Sequence, residues 1–178
     1  MPGRPTSSSW GSESALIVKS PVAEEIAGVW RRRLERTSAG VPAHVTVLYP
    51  FRAVGDLSSA DMHRLGALFA QSHPIEFRLA RLDWFGSRVL YISLEPEEPF
   101  RHMTEAVAAA FPECPPYRNA FTSIIPHITV GEEAAAWRMR RAARRLAPLL
   151  PLSDVASDIT LIAPYRSRWE VVERFPLG

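Results

Sequence analysis

Two short segments carry residues able to do proton-transfer chemistry: His44-Val45-Thr46-Val47 and His127-Ile128-Thr129-Val130. In an extended strand alternate side chains share a face. His44 and Thr46 then point one way while Val45 and Val47 point the other, and the second segment repeats this. The apolar pair can anchor each strand in a core, leaving the His/Thr pair to face a groove. If a pseudo-twofold axis relates the strands, both His/Thr pairs meet across it. That constellation suits phosphodiester cleavage. A neutral imidazole takes a proton from water or a ribose hydroxyl, and an imidazolium returns one to the leaving oxygen. An unperturbed histidine pKa near 6.5 allows both forms near neutrality. Positioned acid or base groups typically contribute about 10²–10⁴-fold, and threonine hydroxyls can donate to the nonbridging oxygens where charge builds up. The scheme requires no metal and no cofactor, and the chain has no CxxC, HExxH or EF-hand loop. It predicts a bell-shaped pH profile near neutrality and activity in the presence of a chelator.

Hydrophobic periodicity gives the elements that must position these residues. Strand patterns cover 15–20, 44–48, 75–84, 88–94, 124–130, 158–163 and 169–175. Helical spacing covers 22–36, about 60–72, 100–111 and 132–150, and the Pro-containing stretch 112–123 reads as a loop. The order strand, helix, strand, helix, strand occurs twice, and each His-x-Thr-Val lies on the third element of its half, 83 residues apart. That period is too long for a solenoid and fits a two-lobed, pseudo-symmetric domain.

The bulk numbers set limits. At 178 residues, 47% hydrophobic, the chain is the size of one domain. A net charge of +2 permits an anionic ligand without marking a polyanion-binding tail. The single cysteine, Cys114, excludes an intrachain disulfide and fits a reducing cytosol. No apolar run is long enough to span a bilayer. Residues 1–14 read as a disordered tail, and 15–178 as one bilobal domain with halves of about 15–86 and 87–178.

The segments AHVTVLYPF and PHITVG resemble the two signature motifs of the 2H phosphoesterase superfamily, in particular its 2'-5' RNA ligase-like and cyclic phosphodiesterase-like branch. The resemblance implies an α+β fold of two pseudo-symmetric lobes, with antiparallel sheets flanking a central cleft and helices outside. It implies His44 and His127 as catalytic residues and Thr46 and Thr129 as phosphate ligands. It also implies a metal-independent phosphodiesterase acting on an RNA end or a small nucleotide, at a 2',3'-cyclic phosphate or a 2'-5' linkage. The motifs do not choose among these substrates, nor say which histidine is the acid. A cytoplasmic monomer with no obligate protein partner is expected. The alternative is a catalytically silent RNA- or nucleotide-binding module using the same groove; a metal-dependent hydrolase is weaker, because neither motif contains an acidic residue.

Further groove candidates are Tyr49 and Phe51, which follow the first motif, and Tyr165, Arg166 and Arg168 in a turn between the last two strands. Trp84, Phe85 and Trp169 read as core aromatics. The arginines at 138, 140, 141, 144 and 145, and those at 31–33, read first as solvated helix faces near cation-favouring C-termini, with tracking of an RNA backbone as the alternative. His63, His73 and His102 lack a threonine partner and read as helix-face or helix-end residues.

Overall fold

Apolar alternation and helical spacing produce eight strands and four α-helices among the described residues. The computed structural model describes residues 13–35, 40–120, 123–166 and 168–178. The order is β1 (Ser14–Lys19), α1 (Pro21–Leu34), β2 (His44–Phe51), α2 (Ser59–Phe69), β3 (Ile75–Phe85), β4 (Val89–Glu95), α3 (Glu98–Ala110), β5 (His127–Glu132), α4 (Ala136–Leu146), β6 (Leu152–Ala156), β7 (Asp158–Tyr165) and β8 (Arg168–Pro176). Ser20 starts α1 by accepting the Ala23 amide at 3.1 Å, with Pro21 in the first turn. Ser58 and Asp61 form a capping box on α2.

The strands form two antiparallel four-stranded sheets in an α+β fold, ordered β2-β1-β7-β8 and β5-β4-β3-β6. The orders match strand for strand if β1 corresponds to β4, β2 to β5 and β7 to β3. Each sheet therefore takes its third strand from the opposite half of the sequence. The boundary expected near residues 86–87 falls in the turn of the β3–β4 hairpin, inside one sheet. One continuous core joins the inward faces of both sheets to α1–α4, with Leu16, Val45, Leu48, Leu90, Ile92, Ile128 and Val130 among its buried members. Cys114 is buried in it, and burial raises its thiol pKa, which disfavours a thiolate.

Several local expectations change. The strand expected over 124–130 begins at His127, after Pro126, which has no amide to donate. The helix expected over 132–150 is confined to Ala136–Leu146. A 3-10 turn, Ala147–Leu149, containing Pro148 and followed by Pro151, then leads into β6, an edge strand that the periodicity does not reveal. Of the expected tail, residues 1–12 lie outside the described residues, but Ser14 is buried and donates to the Arg52 carbonyl at 2.6 Å. Arg31 is not solvated: it lies on the inward stripe Ala23–Ala27–Arg31–Leu34 of α1 and is 3% exposed. Arg32 and Arg33 are exposed. Among the described residues no helix is long and apolar enough to cross a membrane.

Candidate active site

β2 and β5 are the edge strands of their sheets, and they contact one another. The two His/Thr pairs are therefore carried on the edges at which the sheets meet. Each motif strand has a β-bulge at the same place. The β2 register slips between Thr46, opposite Ile17, and Leu48, opposite Leu16; the β5 register slips between Thr129, opposite Tyr91, and Gly131, opposite Leu90. Val47 with Leu48, and Val130 with Gly131, are consequently buried side by side. Each pair anchors its strand immediately after the threonine.

The imidazoles are oriented alike. His44 Nδ1 lies 2.9 Å from the Pro42 carbonyl, and His127 Nδ1 lies 2.7 Å from the Ile125 carbonyl. A carbonyl only accepts, so Nδ1 carries the proton in both rings. In the neutral form each Nε2 keeps a lone pair that can accept a proton. Burial, then the nearby Arg31 guanidinium and the charge of His127, lower the His44 pKa to about 4, against the opposing Pro42 hydrogen bond. Burial also lowers His127, opposed by its bond to Ile125.

Helices of opposite halves brace the motif strands. From α1, Arg31 donates to the Thr129 carbonyl on β5 and pairs with Glu35 at 2.8 Å, both side chains being buried. From α3, Thr104 donates to the Val47 carbonyl on β2 at 2.7 Å. Around His127, Phe85 and Tyr91 stack on each other at 4.1 Å and meet the imidazole edge-on at 4.9 and 5.2 Å. Lys19 is the register partner of His44, placing it on the same face. Among the described residues, no three His, Cys, Asp or Glu side chains are grouped to hold a metal ion.

The sequence model of the 2'-5' RNA ligase superfamily matches residues 18–168, nearly the whole described fold. The chain belongs to that superfamily. A Bacillus licheniformis protein named "Putative phosphoesterase" is 25% identical over 166 residues, covering 91% of this chain and 86% of its own length. A Geobacillus thermodenitrificans protein of the same name is 26% identical over 124 residues, 66% and 67% of the two chains. Among solved structures, TT0787 of Thermus thermophilus superimposes with a TM-score of 0.61 at 22% identity, covering 93% of this chain and 97% of that one. Escherichia coli LigT complexed with 3'-AMP gives 0.59 at 18% identity, covering 94% and 98%.

In this 2'-5' RNA ligase superfamily member, the weaker sequence candidates separate. Tyr49 packs on Trp169 with ring centroids 6.2 Å apart and joins Ala15, Ile17, Val41 and Ile162 in a small apolar cluster away from the main core. Ile17 is the register partner of Thr46, so this cluster lies on the same sheet face as the first motif's His/Thr pair. Phe51 is corrected: it is buried in the main core against Phe111, centroids 5.1 Å apart. Tyr165, Arg166 and Arg168 lie at the tip of the β7–β8 hairpin, with the Arg166 guanidinium 5.5 Å over the Tyr165 ring. A Cβ built on Gly40, four residues before His44, would lie 3.7 Å from the Arg168 Cβ and 3.5 Å from the Trp169 carbonyl, so this tip borders the approach to the first motif.

Sequence reading took Phe85 for a core aromatic and Arg31 for part of a solvated helix face, and passed over Tyr91, Lys19 and Tyr117. Tyr91 and Lys19 had a signal, since both alternate out of phase with apolar core positions in their strands. Tyr117 had none. It reaches Thr46 from the turn Pro116–Asn119, where Tyr117, Arg118 and Asn119 take left-handed φ values of 47°, 52° and 60°. Such backbone is costly for non-glycine residues. Here it is held by the Tyr117–Thr46 hydrogen bond and by Arg118 pairing with Glu13, to which Tyr49 also donates at 3.2 Å.

Proposed function

We propose that this chain hydrolyses an RNA-type phosphodiester, a 2',3'-cyclic phosphate or a 2'-5' linkage, with His44 as general base and His127 as general acid. The observation that carries this reading is the matched pair of imidazoles. Each Nδ1–H is fixed on a carbonyl two residues upstream, and each ring precedes a same-face threonine on the edge strand of its sheet. Escherichia coli LigT, of the same fold, has been crystallised with 3'-AMP, with NADP+ and with phosphate, which supports a phosphate-bearing nucleotide as the ligand class. The lower pKa falls on His44, beside Arg31, which favours its lone pair and hence the base role. In the reaction His44 Nε2 takes a proton from water as the water oxygen bonds to phosphorus. The ester P–O bond breaks, and His127 Nε2–H protonates the departing oxygen. The Thr46 and Thr129 hydroxyls donate to the nonbridging oxygens.

The lowered pKa values move the pH profile. His44 must be neutral, so kcat/KM rises through about pH 4. His127 must be protonated, so kcat/KM falls above a pKa that lies below 6.5. The bell for free enzyme is expected on the acid side of neutrality, displaced from where unperturbed imidazoles would place it. A bound phosphate anion favours imidazolium, so the alkaline limb of kcat should lie at higher pH than that of kcat/KM. The test is product analysis with EDTA present on 2',3'-cyclic mononucleotides and on 2'-5' and 3'-5' dinucleotides. A bell centred well above neutrality would overturn the histidine assignment. Tight binding of every substrate without product would favour a silent binding module.

Tyr117 bears on the same step. Burial raises its phenol pKa, against the opposing hydrogen bond with Thr46, so the phenol stays protonated and its hydrogen bond with the threonine hydroxyl holds Thr46 in place beside His44. Tyr117→Phe is expected to lower kcat/KM by about 2–10-fold, the worth of one net hydrogen bond of about 0.5–1.5 kcal/mol. An unchanged kcat/KM would remove Tyr117 from the site.

A further inference from the structure

Away from the His/Thr groove, α1 and α4 enclose a cleft of about 260 Å³ lined by Trp30, Arg33, Leu34, Trp137, Arg138 and Arg141. It lies behind β5: a Cβ on Gly131, just past the second motif, would meet Leu34 at 2.8 Å and Met139 at 3.6 Å. Its apolar wall is unusually open, since Trp137 is 64% exposed. Its charge is concentrated, with Arg33, Arg138 and Arg141 on the wall of one cleft. Several exposed arginines elsewhere pair with acids, Arg32 with Glu24, Arg81 with Glu95, Arg88 with Glu133, Arg101 with Glu97 and Arg118 with Glu13, while Arg64, Arg78, Arg166, Arg168 and Arg174 are scattered over other elements and make no ion pair among the described residues. Among the described residues no ion pair is made by Arg33, Arg138 or Arg141, nor by Arg140, Arg144 and Arg145 further along the face of α4. Arg138, Arg141 and Arg145 recur at i, i+3 and i+7, one stripe along the helix.

We propose that this cleft is a second binding site, for single-stranded RNA. Exposed indole beside uncommitted guanidinium is the combination that takes a base on its face and the adjoining phosphates on its charges. An acidic polypeptide would satisfy the arginines and leave the tryptophan-lined cleft unused. A duplex has its base faces already stacked. The choice of RNA among single strands rests on the substrate reading above; the cleft itself does not.

The test is fluorescence anisotropy of a fluorescein-labelled twelve-residue oligouridylate, all 3'-5' linked and without a cyclic end, on the full chain. Saturable binding is expected, with quenching of tryptophan fluorescence. About three phosphate contacts should weaken binding roughly twentyfold between 50 and 200 mM salt. Arg138→Gln with Arg141→Gln, and separately Trp137→Ala, should each weaken binding about tenfold or more. Both should keep kcat/KM on a 2',3'-cyclic mononucleotide within about twofold, which also shows that they fold. The His44→Gln, His127→Gln double variant should bind the oligonucleotide as wild type does. Absence of binding, wild-type binding by the cleft variants, or displacement by polyglutamate at equal charge concentration would overturn the proposal. Failure of the wild type to hydrolyse the cyclic mononucleotide counts against the phosphoesterase reading alone; the anisotropy result decides the cleft either way.

Discussion

Glutamine or alanine at either His44 or His127 is expected to lower kcat on a hydrolysed cyclic mononucleotide by at least about a hundredfold, with KM changed much less. The reason is that proton transfer is needed in the transition state and not for holding the ground state. The two losses should not multiply. Once one partner is gone the concerted transfer is already lost, so the double variant should fall little below the worse single one. Glutamine is the better replacement at position 127, because truncation there also removes the ring from its edge-on contacts with Phe85 and Tyr91. Both side chains are half-buried on edge strands, so thermal melting should stay close to wild type and separate chemistry from folding. Near-normal turnover by both single variants would end the paired-histidine reading.

The largest stability effect is expected at Arg31. Arg31→Met removes the donor to the Thr129 carbonyl and leaves Glu35, whose side chain is 7% exposed, without its buried cation. Breaking one side of such a pair costs about 3–5 kcal/mol, a large part of the about 5–15 kcal/mol that holds a domain folded. Changing both partners, Arg31→Met with Glu35→Leu, should recover much of the loss, because no lone charge then stays buried. Urea denaturation measures both; equal midpoints for Arg31→Met and wild type would show the pair to be unimportant. A second readout follows from the site. Without the guanidinium, the His44 pKa should rise from about 4 towards its ordinary value, and the acid limb of kcat/KM should rise with it. NMR titration of the His44 ring follows that change directly.

The part of the site legible in sequence is the part governed by strand alternation. His-x-Thr against Val-x-Val needs only a period of two, and it placed both pairs on one face of each motif strand. Beyond the threonines that rule fails, because the bulge at Val47–Leu48 resets the phase. Tyr49 thus returns to the Thr46 side, and a further register shift before Ser14, opposite Phe51, turns Phe51 into the core. Arg31 was hidden by its neighbours: three consecutive arginines read as solvated, although its spacing from Ala23, Ala27 and Leu34 marks the inward stripe. The contribution of Tyr117 depends on three left-handed residues in a loop, which no periodicity reports. The pairing of β3 with β4 is local and reads as a hairpin from the turn alone; the pairing of β1 with β7 joins residues nearly 150 apart and leaves no trace in either strand alone.

The exchanged third strands set a timetable for the chain. β7 and β8 complete the sheet that carries His44, yet they are made after both histidines have left the peptidyl-transferase centre. Domains fold as units while synthesis proceeds from the N-terminus. A nascent chain ending before residue 158 holds both motif histidines but only two strands, β1 and β2, of the sheet that carries His44. On the proposed paired-histidine reading, activity is expected only after β7 and β8 have closed the sheet around the first histidine, among the last properties the growing polypeptide acquires.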